Sequence, residues 1–460
     1  MMPEERYKKL KEYLEQENPV LIDVIEKYKV LDKIAQKVGL IELNESYTSN
    51  ISWWPMISVL GTFSAGKSSF LNEYLGLNIQ HSGNQAVDDK FTVMSYGNTQ
   101  EATTLPGLAL DADPRFPFYN ISEEIDKVDS GEGNRVNLYL QLKTFKSPKI
   151  KGKILIDSPG FDADSQRDGI LRITKHIVEM SDLVLVFFDA RHPEPGAMRD
   201  TLEHLVATTI DHKDANKILY ILNQIDTTAK EDNLESVISS WQRALAKEGL
   251  VSGNFYAVYN ESASVEIEDE VMKTRLKNKK DSDLKEITSR MDKVSIERAY
   301  RIIKALEDFS KDIKDIKIPM LQEALSEWSK KVLYADIAIF ILMLLSIATM
   351  KFQTNILDML NSENTLIFSS IGFIAILVLV HFKVRSFFAN RVSKKYLEID
   401  SEISKAILHN TKWWKKSFGF GVNWNKNIKN RLNDLMEDGR KAIQKLNDQF
   451  VNMKPEDKRV

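Results

Sequence analysis

The chain has 460 residues and a formal charge of −3, which is longer than one average domain, so a globular unit plus at least one further region is expected. It has no cysteine, which excludes disulfide staples, thiolate metal sites and thiol nucleophiles together. Charge is unevenly spread. Residues 383–460 carry 18 Lys and Arg against 9 Asp and Glu, a net of +9 that leaves −12 for residues 1–382, so the tail is the part suited to anionic surfaces. The N-terminus, Met1-Met2-Pro3-Glu4-Glu5-Arg6, places charge where a signal peptide would need an apolar run.

In chain order, Leu21, Val24, Ile25, Tyr28, Leu31, Ile34 and Val38 recur at the spacing of a helix with one buried stripe, which calls for a packing partner. From about Ile57 the pattern changes to short β-rich runs alternating with helical stretches, the mark of a mostly parallel sheet with crossover helices. The predicted strands are Ile57 to Leu60, Val136 to Phe145, Lys153 to Ile156, Leu183 to Phe188, Lys217 to Leu222 and Phe255 to Tyr259. After a charged stretch at 265–285, helical periodicity returns with Ile302, Ile303, Leu306, Phe309 and Ile313. Pro319 opens a helix toward Trp328.

Two apolar runs follow, Val332 to Met350 and Thr365 to Phe382. A helix of about 19 residues rises ~28 Å, close to the roughly 30 Å of a bilayer's hydrocarbon core. The first run contains one charge, Asp336, and the second contains none. Lys330 and Lys331 before the pair, and Lys383, Arg385 and Arg391 after it, predict a transmembrane hairpin with both termini cytoplasmic. A paddle dipping into one leaflet, or a buried pair in a soluble bundle, are the alternatives. Beyond the hairpin, Leu397, Ile403, Ile407, Leu432, Leu435, Ile443 and Leu446 predict amphipathic helices. Residues 409–426, HNTKWWKKSFGFGVNWNK, mix aromatics with lysines as a headgroup-level segment or a bundle turn does.

The densest chemistry lies at GTFSAGKSS, residues 61–69. A strand, then G-x-x-x-x-G-K-S, then a helix makes a phosphate cradle. Gly61, Thr62, Phe63, Ser64, Ala65, Gly66, Lys67, Ser68 and Ser69 form it. Gly61 and Gly66 let backbone N–H groups turn inward, Lys67 sets a positive charge on the β- and γ-phosphates, and Ser68 offers a hydroxyl to Mg²⁺. Two further strands end in Asp157-Ser158-Pro159-Gly160 and Asn223-Gln224-Ile225-Asp226, at the strand ends where open α/β sheets bind ligands. Asp157 is a metal candidate and the Gly160 N–H a γ-phosphate sensor. Asp226 can accept two hydrogen bonds from a guanine edge, Asn223 braces the loop, and Gln224 stands where a lysine is usual. The pattern predicts a nucleotide switch with a guanine preference.

These residues resemble the dynamin superfamily, through GTFSAGKSSFLNEYLG (61–76), KILIDSPGFD (153–162), LVLVFFDARHPEPG (183–196) and ILYILNQID (218–226). The resemblance covers roughly residues 50–260 and is nearest the EH-domain and mitofusin-like branches; the EH-domain branch binds ATP, which leaves the base open. It implies GTP hydrolysis to GDP and phosphate, with Mg²⁺, often a monovalent cation, and head-to-head homodimerisation. At Phe161 the water-orienting Gln of small GTPases is absent, and the resemblance implies Ser64 with Lys67 as catalytic residues instead. The switch-I threonine falls near Asp88, leaving Thr92 as the nearest hydroxyl for the metal.

The expected architecture is an α/β P-loop GTPase head with helices on both sheet faces, an α-helical bundle stalk and a two-helix transmembrane hairpin. Residues 1–45 are expected to join the stalk, 46–265 to form the head, 266–331 the stalk, 332–382 the hairpin and 383–460 the closing helices. The expected partners are the lipid bilayer and further copies of the chain, with no nucleic acid. The expected role is coupling GTP turnover to membrane tethering, fusion or fission. A membrane-anchored signalling switch that recruits a protein, and a nucleotide-binding scaffold without hydrolysis, are the rivals.

Overall fold

The computed structural model describes residues 3–80, 90–116, 136–160, 167–192, 217–247, 249–250, 253–353, 363–413 and 426–452. Its centre is a mixed sheet of eight strands: β1 (Met56–Gly61), β2 (Phe91–Tyr96), β3 (Thr103–Pro106), β4 (Leu140–Phe145), β5 (Ile154–Asp157), β6 (Leu183–Asp189), β7 (Ile218–Asn223) and β8 (Asn254–Ala257). They lie in the order β3-β4-β2-β5-β1-β6-β7-β8. β1, β6 and β7 are buried along their whole length. That burial is why they read as unbroken apolar runs rather than alternations. Parallel pairing joins β5, β1, β6, β7 and β8, whereas β2 meets β5 antiparallel and β3 meets β4 antiparallel.

Two predictions about strands need correction. Val136–Tyr139 is a helical turn, and the strand starts only at Leu140. The reason is the partner: β2 begins at Phe91, which pairs with Leu140, so no ladder is available earlier. The last strand is Asn254–Ala257 rather than Phe255 to Tyr259. β2 and β3 were not predicted at all.

Both sheet faces are covered. On one, Phe70, Leu71 and Tyr74 of the helix Lys67–Leu75 pack with Phe187, Ile57 and Leu155, together with Ile287, Met291 and Val294 from a long helix. On the other, Trp241 and Leu245 meet Val186, Tyr220 and Met272. The long helix, Glu270–Asp312, is capped by Asp269, whose side chain accepts from the Val271 and Met272 N–H groups. Its first half takes in most of the charged stretch at 265–285, from Glu270 onward. A π-turn, Ile313–Lys317, passes the chain directly into the helix Ile318–Gln353, with Pro319 just beyond the turn, where the regular α-helical hydrogen-bond ladder is already interrupted. The result is a nearly unbroken rod from Glu270 to Gln353, where the sequence suggested separate pieces.

The predicted stripe from Leu21 to Val38 is buried throughout. The helix that carries it, Ile22–Val38, ends at Gly39 with φ 85°, a left-handed cap that suits glycine. It packs on the middle of the rod: Tyr28 Oη donates to the Ile302 carbonyl at 2.7 Å, and Lys27 and Asp23 form ion pairs with Asp438 and Lys445 of the helix Lys426–Asn452. Ile302, Leu306, Leu321, Val392, Ile403, Leu432 and Leu435 share one core with this N-terminal stripe. Residues 414–425, most of the aromatic and lysine-rich segment, lie outside the described residues.

The helices Ile318–Gln353 and Glu363–Leu397 run against each other, and their outer sides are apolar and bare. Leu342 is 65% exposed, Leu345 57%, Ile374 59% and Leu379 66%. Among the described residues one segment, Ile371–Leu397, is long and apolar enough to cross a membrane. A polar contact joins the two helices: His381 Nδ1 lies 2.8 Å from Asp336 Oδ2.

Candidate nucleotide-binding site

β1 runs straight into the cradle and a helix, Lys67–Leu75, leaves it. Two positions in the loop take left-handed backbone. Gly66 has φ 84° and Ser64 has φ 58°. A non-glycine residue at positive φ costs about 1–2 kcal/mol, so the loop holds strain at Ser64, the predicted catalytic residue. The two predicted glycines are also sterically required. A Cβ on Gly61 would lie 2.7 Å from the Phe187 carbonyl oxygen of β6, and one on Gly66 would lie 2.1 Å from Asn223 Nδ2. The third, Gly160, passes close to the loop: its Cβ would meet Phe63 Cα and Cβ at 3.0 Å.

Lys67 is buried and donates from Nζ to the carbonyls of Gly61 and Thr62, at 2.9 Å each. The ammonium is thus held against the mouth of the loop, within the range where it could exchange those carbonyls for phosphate oxygens. Ser68 Oγ donates to Asp157 Oδ2 at 3.3 Å. With its proton committed to the carboxylate, the hydroxyl turns its oxygen lone pairs outward, the orientation a hard cation needs. Ser68 and Asp157 therefore fit Mg²⁺ as ligands, directly or through water.

Thr92 lies inside β2, fully buried, paired across the antiparallel ladder with Asp157, so both side chains stand on the same sheet face. Its hydroxyl accepts from Gln141 Nε2 at 2.8 Å. It neighbours the metal candidates but is a strand residue with an occupied hydroxyl. Asp88 and Phe161 lie outside the described residues.

The base-side loop is tied to the cradle. Asn223 Nδ2 donates to the Ala65 carbonyl at 2.9 Å, and Asn223 Oδ1 accepts from the Gln224 N–H. Gln224, at φ 63°, donates from Nε2 to the Ser64 carbonyl at 2.7 Å. The side chain that replaces the usual lysine therefore braces the strained serine itself, through its carbonyl. Asp226 Oδ2 accepts from the Val265 N–H at 2.9 Å. Burial pushes the Asp226 carboxyl above its ordinary range, while backbone N–H groups and Arg191 act against that rise. Each carboxylate oxygen has two lone pairs, so one backbone bond leaves room for a two-pronged contact with a guanine edge.

Three residues of the site were missed from sequence. Gln80 Nε2 donates to Asp157 Oδ2 at 2.7 Å, Lys143 Nζ donates in turn to Gln80 Oε1, and Asn72 of the cradle helix clamps the backbone of Ile79 and Gln80. The one available signal was a lysine inside the β-run LQLKTF, at a position that alternation assigns to the same face as Gln141 and Phe145.

Residues 57–225 match the family model of the Dynamin family. Over 179 residues the chain is 26% identical to EH domain-containing protein 2 of Homo sapiens, with the same identity to the Mus musculus and Rattus norvegicus proteins. The aligned part is 37% of this chain and 30% of each relative, so the chain spans under a third of the length of those curated relatives. A shorter match, 28% over 92 residues, is to GTPase grn1 of Schizosaccharomyces pombe, covering 19% of this chain and 18% of that protein. Among solved structures, a bacterial dynamin pair, described as oligomerised and as sensing and tethering membranes, aligns with 97% of this chain and 67% of its own, at 15% identity and a TM-score of 0.37. By the family match and the strand-end geometry beneath it, residues 57–225 of this chain are similar to the Dynamin family.

Proposed function

We propose that the chain is a membrane-anchored, dynamin-like GTPase that couples nucleotide binding, head dimerisation and hydrolysis to membrane remodelling by tethering, fusion or fission. The observation that carries this reading is the rod from Glu270 to Gln353. It starts packed on the nucleotide head through Met272, Ile287 and Met291, and ends in bare apolar surface around Leu342 and Leu345. Contiguous exposed apolar surface of this kind suits lipid and not water. Both long helices would then form a transmembrane hairpin with the head and termini on the cytoplasmic side, anchored by Lys330, Lys331, Lys383 and Arg391.

In the head, residues 61–69 cradle the phosphates, Gly160 reports the γ-phosphate, and Asn223, Gln224 and Asp226 read the base. Ser64 stabilises charge between the β- and γ-phosphates and Lys67 neutralises it, the two catalytic assignments. Ser68 and Asp157 would hold Mg²⁺, which supplies charge neutralisation on the phosphates; Thr92 is the third candidate, at the neighbouring strand position. The chain divides as a head at 46–265 and a stalk from 1–45, 266–331 and 383–460 around a hairpin at 332–382.

The test is turnover of GTP and ATP by full-length protein in liposomes, for wild type and Lys67→Ala. The reading expects GTP turnover per molecule that rises with protein density, is lost in Lys67→Ala, and accompanies tethering, lipid mixing or tubulation. GTP binding with slow, density-independent turnover and no effect on liposomes would favour a recruiting switch and overturn the remodelling assignment.

A further inference from the structure

The buried chain Lys143–Gln80–Asp157 has a direction that chemistry fixes. A lysine ammonium can only donate, so the Gln80 atom facing Lys143 Nζ must be the carbonyl oxygen Oε1, and the amide NH₂ must face Asp157. The amide orientation is therefore not a free choice. Lys143 also donates to the Ile79 carbonyl at 3.3 Å. Asn72 fixes the backbone at both ends of the same dipeptide: Oδ1 accepts from the Ile79 and Gln80 N–H groups at 2.9 Å, and Nδ2 donates to the Gln80 carbonyl at 2.8 Å. All three side chains of the relay are nearly closed to water, with Gln80 and Asp157 each 3% exposed and Lys143 7%.

The oxygen that receives Gln80 is the one that receives Ser68. Asp157 Oδ2 accepts both, from Nε2 at 2.7 Å and from Oγ at 3.3 Å. A lysine placed directly on this carboxylate would neutralise it and compete with a divalent cation. The interposed amide instead passes on part of the lysine's polarisation as a neutral donor, which holds the carboxylate's rotation and keeps its charge.

We propose that Gln80 is a positioning residue for the metal-site carboxylate: anchored by Lys143 and Asn72, it sets the Asp157 rotamer so that Oδ2 meets the Ser68 hydroxyl and the pair is ready for Mg²⁺. The proposal rests on the nucleotide-binding reading above. Partners behind a metal ligand commonly account for about 10–100-fold in metal affinity.

The experiment measures affinity for a fluorescent GDP analogue by full-length protein, first in EDTA and then across a Mg²⁺ titration. The variants are Gln80→Met, which keeps shape and removes the relay, and Lys143→Met, which leaves the Gln80 amide but frees its orientation. Gln80→Met is expected to raise the Mg²⁺ concentration at half-effect at least tenfold, with affinity in EDTA within twofold of wild type, and Lys143→Met to raise it by a smaller factor. A shift below twofold in folded Gln80→Met overturns the proposal. Should Gln80→Met not fold, an unshifted midpoint in Lys143→Met overturns it equally, because the relay predicts a shift there. Wild type that binds the analogue with no Mg²⁺ dependence also overturns it, whereas wild type that binds no nucleotide at all removes the underlying reading instead.

Discussion

Gly66→Ala probes the contact between the phosphate cradle and the base loop, and its cost follows from two separable features. The first is backbone: at φ 84° a side chain costs about 1–2 kcal/mol. The second is contact: the new Cβ would stand 2.1 Å from Asn223 Nδ2, so Asn223 must leave, and its hydrogen bond to the Ala65 carbonyl is lost with it. Leaving that buried carbonyl unsatisfied costs about 1–3 kcal/mol. The sum, about 2–5 kcal/mol charged against the binding-competent loop, predicts nucleotide affinity lower by roughly 30- to 4,000-fold at 1.4 kcal/mol per decade. Calorimetric or fluorescence titration with GDP measures it. The decisive arm is the double mutant: in an Asn223→Ala background the clash is gone, and Gly66→Ala should then cost only the backbone strain, about 5- to 30-fold. Equal costs in both backgrounds would refute the contact argument, and a single-mutant cost under threefold would refute the strain argument too.

Three further outcomes are expected. Asp182 accepts from the Met56 N–H and pairs with Arg298 and Arg301 while itself buried, so Asp182→Ala strands the Met56 amide and the mostly buried Arg298; a loss of about 3–5 kcal/mol is expected as a clear fall in the melting temperature of the head, and an unchanged melting curve would contradict it. Burial raises the Asp226 carboxyl above its ordinary value of 3.8, so the folded state holds its proton more tightly than the unfolded chain does. Between that value and the raised one, stability gains as pH falls, while guanine binding, which needs the carboxylate, is lost over the same window; GDP affinity measured against pH should fall off above the ordinary Asp range, and an Asp226→Asn profile with the same inflection would sink the assignment. Finally, Leu342→Arg with Ile374→Arg puts two charges on the bare helix faces at a cost of about 2.5–3.5 kcal/mol each at a bilayer centre. Alkaline extraction of membranes should release the double variant, while Val271→Arg, also on an exposed position but at the head end of the rod, should stay in the pellet.

What the sequence showed well were features imposed by backbone geometry or by long periodicity. The glycines of the cradle were legible because the loop admits no Cβ at Gly61 or Gly66, and the N-terminal stripe because seven apolar positions at helical spacing admit one reading. β2 and β3 were not legible. FTVMSY is too short and too uniformly buried to show a period, and TTLP lies exposed on the sheet edge, where pairing rather than burial defines a strand. The rod was expected in separate pieces because its charged first half shows little apolar period: Met272, Leu276, Ile287 and Met291 are buried there together with Lys280 and Asp283, in a run of lysines and acids. Gln80 had no signal of its own. Its role comes from Lys143, 63 residues away, and Asp157, 77 residues away, a meeting that only the sheet order β4-β2-β5 produces.

That sheet order also explains how one head can serve both a nucleotide and a stalk. β1 is the single strand with the cradle at its C-terminal end and, at its N-terminal end, a backbone N–H held by Asp182 at 2.8 Å. The same Asp182 carboxylate accepts from Arg298 and Arg301 of the rod, and Arg298 reaches back to the Ser52 carbonyl at 2.6 Å, just ahead of the strand. Six residues of fully buried strand thus separate the phosphate loop from the rod's polar anchor. A strand paired on both sides bends little, so displacement of the loop has few places to be absorbed before it reaches Asp182. The rod grips the head at the foot of β1 through charge and on the sheet face through Ile287, Met291 and Val294, and the two grips lie on one helix. Any tilt of that helix against the sheet must loosen the apolar grip or strain the ionic one.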